Sequence, residues 1–134
     1  MYSTDPVRVA APYTPTCIWR NRTSFFSGKD AIIEFLAAKW KREHNYRLRK
    51  ELFSFTDDRI AVQFWYEYQD AEDEMRWKRC YGLEHWTFDR ETGKMRKRMM
   101  SGNDLILGHD GNGDGRWFLE GVDVEDVDIG PAHW

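Results

Sequence analysis

The spacing of apolar residues changes character near residue 44. Before it, Ile32, Leu36 and Trp40 recur at i, i+4 and i+8 with Ile33 and Ala37 beside them, which predicts an amphipathic helix over residues 29–43. Ser27 and Asp30 fit a capping pattern at its start, and Lys39, Lys41 and Arg42 complement the dipole at its end. Upstream, residues 4–11 predict one or two helical turns, with Asp5 near the start, Pro6 in the first turn and Pro12 and Pro15 beyond the end. A short strand over residues 17–21 follows.

After His44 the period becomes two. Residues 46–56 predict a strand and Asp57-Asp58 a tight turn. Ile60, Val62, Phe64, Tyr66 and Tyr68 then line one face of the clearest strand in the chain. Its other face carries Ala61, Gln63, Trp65, Glu67 and Gln69 and is expected to meet water or a partner. Residues 70–74 predict a loop, 76–88 a long strand, 89–93 a turn and 94–101 the last strand of a meander. Adjacent antiparallel strands preceded by one good helix define an α+β class in which a curved sheet wraps around helices.

Length and composition set the scale. At 134 residues, 41% hydrophobic and 16% aromatic, the chain can bury a core without staples. The sequence shows no apolar run of membrane-spanning length and no secretory start, so a cytoplasmic protein is expected, and Asn21-Arg22-Thr23 is then a chance match to a glycosylation pattern. Cys17 and Cys80 make neither a disulfide framework nor a zinc motif and read as buried thiols. Of the net charge of −3, residues 109–134 carry −6 (seven acids against Arg116) and residues 1–108 carry +3. This divides the chain into a body, 1–108, and an acidic Gly/Asp-rich arm, 109–134, expected to pack across the domain or onto a neighbour through Trp117, Phe118 and Trp134. A negative chain with an acidic end is poorly suited to nucleic acid.

Several segments, in order, resemble one family. Trp19-Arg20-Asn21-Arg22, Gly28-Lys29-Asp30-Ala31-Ile32 and Trp40-Lys41-Arg42-Glu43 are similar to the cone-shaped superfamily of nuclear transport factor two and SnoaL-like cyclases. So are Tyr46-Arg47-Leu48, Lys50-Glu51-Leu52, Arg59-Ile60-Ala61-Val62, Tyr81-Gly82-x-Glu84-x-Trp86-x-Phe88 and Asn103-Asp104-Leu105. Together they resemble an uncharacterised branch, a domain of unknown function, over residues 13–107. The resemblance implies a sheet curved into a cone, helices closing its mouth, an internal pocket and dimerisation through the outer sheet face. The chain departs from it in a shortened first helix and in an acidic tail where the branch has a basic, Pro-rich ending.

Enzymes of that superfamily place an acid in an apolar cone, where burial raises its pKa for proton transfer. The residue here is Glu84: a lone proton carrier, or one half of an ion pair with Arg20, Arg22 or Arg98. The candidate ligand-binding set is Trp19, Asn21, Trp40, Phe64, Tyr66, Tyr68, Tyr81, Trp86 and Arg98, with Trp19 and Asn21 chosen as the inward pair of their strand. Asn103 and Asp104 read as a turn at the rim. His44, His85, His109 and His133 share no metal-binding spacing, so no metal or other cofactor is expected; Asp110, Asn112 and Asp114 begin a calcium-loop pattern that fails at the twelfth position, Gly121. Gln63, Trp65, Glu67 and Trp77 form an expected exposed patch, hence a back-to-back homodimer.

Two functions follow. One is a small-molecule-binding domain, with cofactor-independent acid/base catalysis of isomerase, cyclase or hydratase type on a small, partly apolar substrate. The other is a non-catalytic dimerisation or interaction module with a plugged pocket. The incomplete acid/base set favours ligand binding.

Overall fold

A computed structural model describes residues 5–133. The elements run α1 (Pro6–Ala10), β1 (Tyr13–Asn21), β2 (Ser24–Ser27), α2 (Lys29–Arg42), β3 (Glu43–Phe55), β4 (Arg59–Asp70), β5 (Arg76–Phe88) and β6 (Met95–Ile106), followed by three short 3-10 turns. The six strands form one curved sheet in the order β2-β1-β6-β5-β4-β3, not closed into a barrel, with both helices on its concave side. The result is an α+β cone. Among the described residues no helix is long and apolar enough to cross a membrane.

The sheet is mixed rather than wholly antiparallel, because β1 pairs with β6 in parallel, Ile18 opposite Lys97 through Asn21 opposite Met100. Strand β1 begins at Tyr13, four residues before the expected start; its register shift between Tyr13 and Ile18 accommodates Pro15, which has no N–H to give a ladder. The four-residue β2 is too short for a periodic signal. It also consumes Ser27, which pairs with Ile18, so Gly28 becomes the N-cap of α2 and the expected side-chain cap is not made. Strand β6 runs on to Ile106. Asn103 and Asp104 therefore lie within the ladder, opposite Tyr81 and Cys80, and make no rim turn. Thr4, in the expected first helical turn, and Trp134 lie outside the described residues.

Inside the cone, α1, β1 and α2 supply one cluster: Ala10, Tyr13, Cys17, Trp19, Ile32 and Leu36, with Met95 from β6. Trp19 is its centre, edge-on to Tyr13 at 5.1 Å and against Phe26 and Phe35. Phe64, Tyr66, Tyr68, Cys80 and Met100 form the second cluster. Both cysteines are free and buried. The inward run of β4 follows the alternation read from the sequence. Phe64 lies flat across Gly82 of β5, where an added Cβ would come within 1.9 Å of its ring.

The outer face overturns one expectation. Trp65 and Glu67 are each only 1% exposed, because the chain's own arm crosses them. Glu67 accepts the backbone N–H of Trp117 (3.0 Å) and Phe118 (2.8 Å) and pairs with Arg79 of β5 at 2.9 Å. Arg79 in turn donates to Gly115 O and lies 3.4 Å from the centre of the Trp117 ring. From β3, Arg47 donates to the carbonyls of Leu119 and Val122, and Arg49 to that of Val127; Trp65 Nε1 donates to His133 O. Trp77 is half-buried beneath Arg116, which sits 4.0 Å from its ring. Three of the four residues expected at a dimer interface thus hold the arm instead; Gln63 is half-buried beyond it. A buried carboxylate with an arginine can hold peptide N–H groups against a sheet, and no sequence period announces that.

Gly82→Ala is expected to destabilise the fold by about 1–3 kcal/mol, since the Phe64 ring must leave its packed position to admit one methyl group. Urea denaturation of the variant against the native chain measures it.

Candidate functional site

Curvature of the sheet leaves an internal cavity of about 140 Å³ beneath α1 and α2. Its apolar wall is largely aromatic, with Trp19 from β1, Phe35 and Trp40 from α2, Tyr46 from β3, and Phe64 and Tyr66 from β4, beside the aliphatic Val9, Leu36, Leu48 and Met100. Asn21 also lines it. The rest is charged. Lys39 enters from α2, Lys50 from β3, Arg98 from β6 and Glu84 from β5. A second recess of about 260 Å³ shares Asn21, Phe35, Lys39 and Tyr66 with the cavity and reaches the surface beside Arg42 and Glu72.

Glu84 is not a lone acid. Arg98 donates to both its oxygens, Nε to Oε2 at 2.8 Å and Nη2 to Oε1 at 3.0 Å. Trp86 Nε1 donates to Oε2 at 2.6 Å and Lys50 Nζ stands 3.4 Å from Oε1. Burial alone would push this carboxyl up; Arg98, Lys50 and the Trp86 hydrogen bond outweigh it and hold the group down to about 2. The raised pKa expected of a proton carrier is therefore reversed, and of the two readings of Glu84 the ion pair with Arg98 is the one formed. Arg98 also donates to the Tyr13 hydroxyl at 2.9 Å and stacks over Trp19.

The lysines shift the other way. Burial drives the Lys50 amine down to about 8, with Arg98 adding to the drop and Glu84 only partly opposing it. Lys39 is also lowered by burial, although its Nζ lies 3.0 Å from Glu43 and over the rings of Trp40, Tyr46 and Tyr66. Tyr66 is raised well above its ordinary value by burial and stays a neutral phenol.

Of the expected ligand set, the cavity brings together Trp19, Asn21, Trp40, Phe64, Tyr66 and Arg98, with Glu84. Three others stand elsewhere. Tyr81 points to the outer face, edge-on to Trp117 at 6.1 Å, because it is one residue out of phase with Cys80 and Gly82. The Tyr68 hydroxyl donates to Asp104 at 3.0 Å, in a separate network where Arg22 also pairs with Asp104 at 2.9 Å and reaches Tyr66 and Cys80. Trp86 packs its ring in the core and touches the site through its Nε1–H. Arg22 turns inward because its φ of 55° breaks the strand alternation. Lys39 and Lys50 were missed. The signal for Lys50 was present: it stands in the inward series Tyr46, Leu48, Lys50. Lys39 was credited to the helix dipole, although it sits three residues after the buried Leu36.

In the calcium-like segment Asp110 pairs with Arg76 at 3.2 Å, while Asn112 donates to the Asp114 side chain at 3.3 Å and accepts from the Asp114 N–H at 3.0 Å. Among the described residues no group of three His, Cys, Asp or Glu residues is placed to hold a metal.

A curved sheet and two helices over an aromatic-lined cavity define the nuclear transport factor two-like, SnoaL-like class. Solved structures agree on the fold. The epoxide hydrolase/cyclase-like enzyme SalBIII, which bears on pyran ring formation in the polyether salinomycin, is similar at 12% identity, covering 78% of this chain and 84% of that one with a TM-score of 0.67. A candidate SnoaL-like polyketide cyclase from Shewanella denitrificans is similar at 13% identity (74% and 79% covered, TM-score 0.64). A nuclear transport factor two-like protein of unknown function from Burkholderia pseudomallei is similar at 18% (76% and 78%, TM-score 0.62). Within this class the chain belongs to the family described as protein of unknown function (DUF1348), which matches residues 1–118 and so takes in the first anchors of the arm, Trp117 and Phe118. No curated protein matches the sequence.

Glu84 contributes stability that is present above its ordinary pKa of 4.5 and lost as the pH falls toward about 2. The stability gap between the native chain and Glu84→Gln is therefore expected to narrow by ~2 kcal/mol between about pH 6 and pH 3, as read by urea denaturation across that range.

Proposed function

We propose that this chain is a small-molecule-binding domain whose cavity takes a small, partly apolar carboxylate. One observation carries the reading. Lys39, Lys50 and Arg98 reach one cavity from three different elements, and among the described residues one carboxylate lines it, Glu84, which Arg98 binds at both oxygens and Lys50 approaches at 3.4 Å, while Lys39 pairs with Glu43. Fixed cations in a desolvated apolar wall favour an anion with a planar or unsaturated body. A volume of about 140 Å³ falls well below drug-sized pockets, so the ligand is small. The open cavity weighs against a plugged, purely structural cone.

Catalysis of the acid/base type, if the cavity performs it, runs through Lys50 and not Glu84. An amine lowered to about 8 reaches its unprotonated form near physiological pH far more readily than an ordinary lysine, whereas a carboxylate held near 2 by Arg98 does not take up a proton there. The related folds include enzymes, but fold alone does not transfer a reaction.

The same reading assigns a cytoplasmic location, supported by two free thiols, and a homodimer through the part of the outer face that the arm leaves open. There Leu83 is 60% exposed, and Ala61, His85 and Met99 border a groove of about 390 Å³ next to Arg96 and Lys97. The arm exposes Glu120, Asp123, Glu125 and Asp126, and in the proposed dimer these acids meet the partner's basic groove. Light scattering is expected to show a dimer that Leu83→Arg converts to monomer; a native chain already monomeric removes the interface.

For the cavity, benzoate and crotonate are expected to raise the melting temperature while their neutral amides do not. Lys39→Met should weaken carboxylate binding about tenfold, the effect of one charge-assisted hydrogen bond. Equal response to acid and amide, or none to either, overturns the carboxylate reading.

A further inference from the structure

The surroundings of Lys50 suit covalent chemistry as well as ion pairing. Its side chain keeps 32% of its surface accessible, and its Nζ faces the cavity from β3, with Phe64 paired opposite on β4. Glu84, the acid that lines the cavity among the described residues, is shared unequally. Arg98 binds both oxygens of Glu84 at 2.8 and 3.0 Å, while Lys50 stands off at 3.4 Å and lies 5.0 Å from the Trp86 ring. Lys50 is thus shared between Glu84 and the Trp86 ring, and Arg98 and Lys39 add positive charge beside it. Desolvation and neighbouring positive charge are the two ways a protein makes a lysine amine nucleophilic.

Resting on the carboxylate reading of the cavity, we infer that Lys50 forms an imine with a small 2-oxo acid, whose carboxylate is held by Lys39. Lys39 is fixed over three rings and engages one oxygen of Glu43, so its ammonium retains N–H donors for a ligand. Nζ attacks the carbonyl carbon: the C–N bond forms, the carbonyl π pair moves to oxygen, and a proton passes from nitrogen to that oxygen. The carbinolamine then loses water, the nitrogen giving up its second proton as the C–O bond breaks, to leave C=N. No oxidant or reductant is consumed. The Tyr13 hydroxyl, kept protonated by burial, lines the same cavity beside Arg98 as a donor for the departing oxygen.

The test is reductive trapping. The full chain is incubated with pyruvate and sodium cyanoborohydride near pH 7, and the modified lysines are mapped by mass spectrometry. Lys50 is expected to be modified at least tenfold faster than the surface lysines, in line with an amine titrating near 8 rather than 10.5. Lys50→Arg, which keeps the charge beside Glu84, should abolish that adduct. Lys39→Met should slow trapping of pyruvate about tenfold yet leave trapping of propanal, which has no carboxylate, unchanged. Modification spread evenly over exposed lysines, or persisting unchanged in Lys50→Arg, overturns the inference. If that happens while benzoate still stabilises the protein, the imine alone falls and the carboxylate site stands; if benzoate is also silent, both fall.

Discussion

Each face of the sheet is organised by one buried carboxylate held by an arginine of the next strand. Glu67 on β4 meets Arg79 directly across the ladder on β5, and Glu84 on β5 meets Arg98 on β6, one pair facing out and the other in. Neither carboxylate can be left unpaired in such surroundings, because removing one partner strands a buried charge at a cost of several kcal/mol. The outer pair still has acceptor capacity and spends it on the peptide N–H groups of Trp117 and Phe118. The inner pair spends its remainder on Trp86, Lys50 and Tyr13. One device thus fixes the arm on the convex side and the polar end of the cavity on the concave side.

The inner pair also decides what kind of chemistry the cavity can host. Arg98 binds both oxygens of Glu84, Lys50 lies 3.4 Å from the same carboxylate and Lys39 pairs with Glu43 at 3.0 Å, yet burial still pushes both amines toward the neutral form. Aromatic rings make up much of the wall, so the lysines are held partly by ring faces. On the proposed reading such a cavity favours negative charge in what enters it, whereas a lone carboxylate in an apolar cone would favour a neutral carbon acid.

Much of the architecture was legible because β-alternation is a strong signal. The five inward residues from Ile60 to Tyr68, the helix that buries Ile32 and Leu36, and the limits of β5 all follow from periods of two and 3.6. What was not legible depends on contacts distant in sequence. The parallel union of β1 with β6 has no local signature, and β2 is too brief to show a period. Trp65 and Glu67 read as exposed because nothing in β4 indicates that residues fifty positions later will cover them. At the site, alternation allows Trp19 and Asn21 as one of two inward pairs and the family resemblance points to Glu84, but whether Glu84 is free or paired turns on Arg98, fourteen residues away on the next strand. Lys39 and Lys50 were overlooked because a lysine in an amphipathic element is ordinarily a surface residue.

The union of β1 with β6 also governs when this protein can exist as such during its synthesis. Arg20 and Met100, which bond at that seam, are 80 positions apart, so the first strand and its hairpin have no sheet to join until the last strand has left the ribosome. Until then Trp19, Phe26 and Phe35 lack the wall that encloses them, while β3, β4 and β5 can already zip as a local meander. Vectorial production of this chain therefore passes through a half-built sheet with an open edge and bare aromatics, the interval in which a holding chaperone has most to protect.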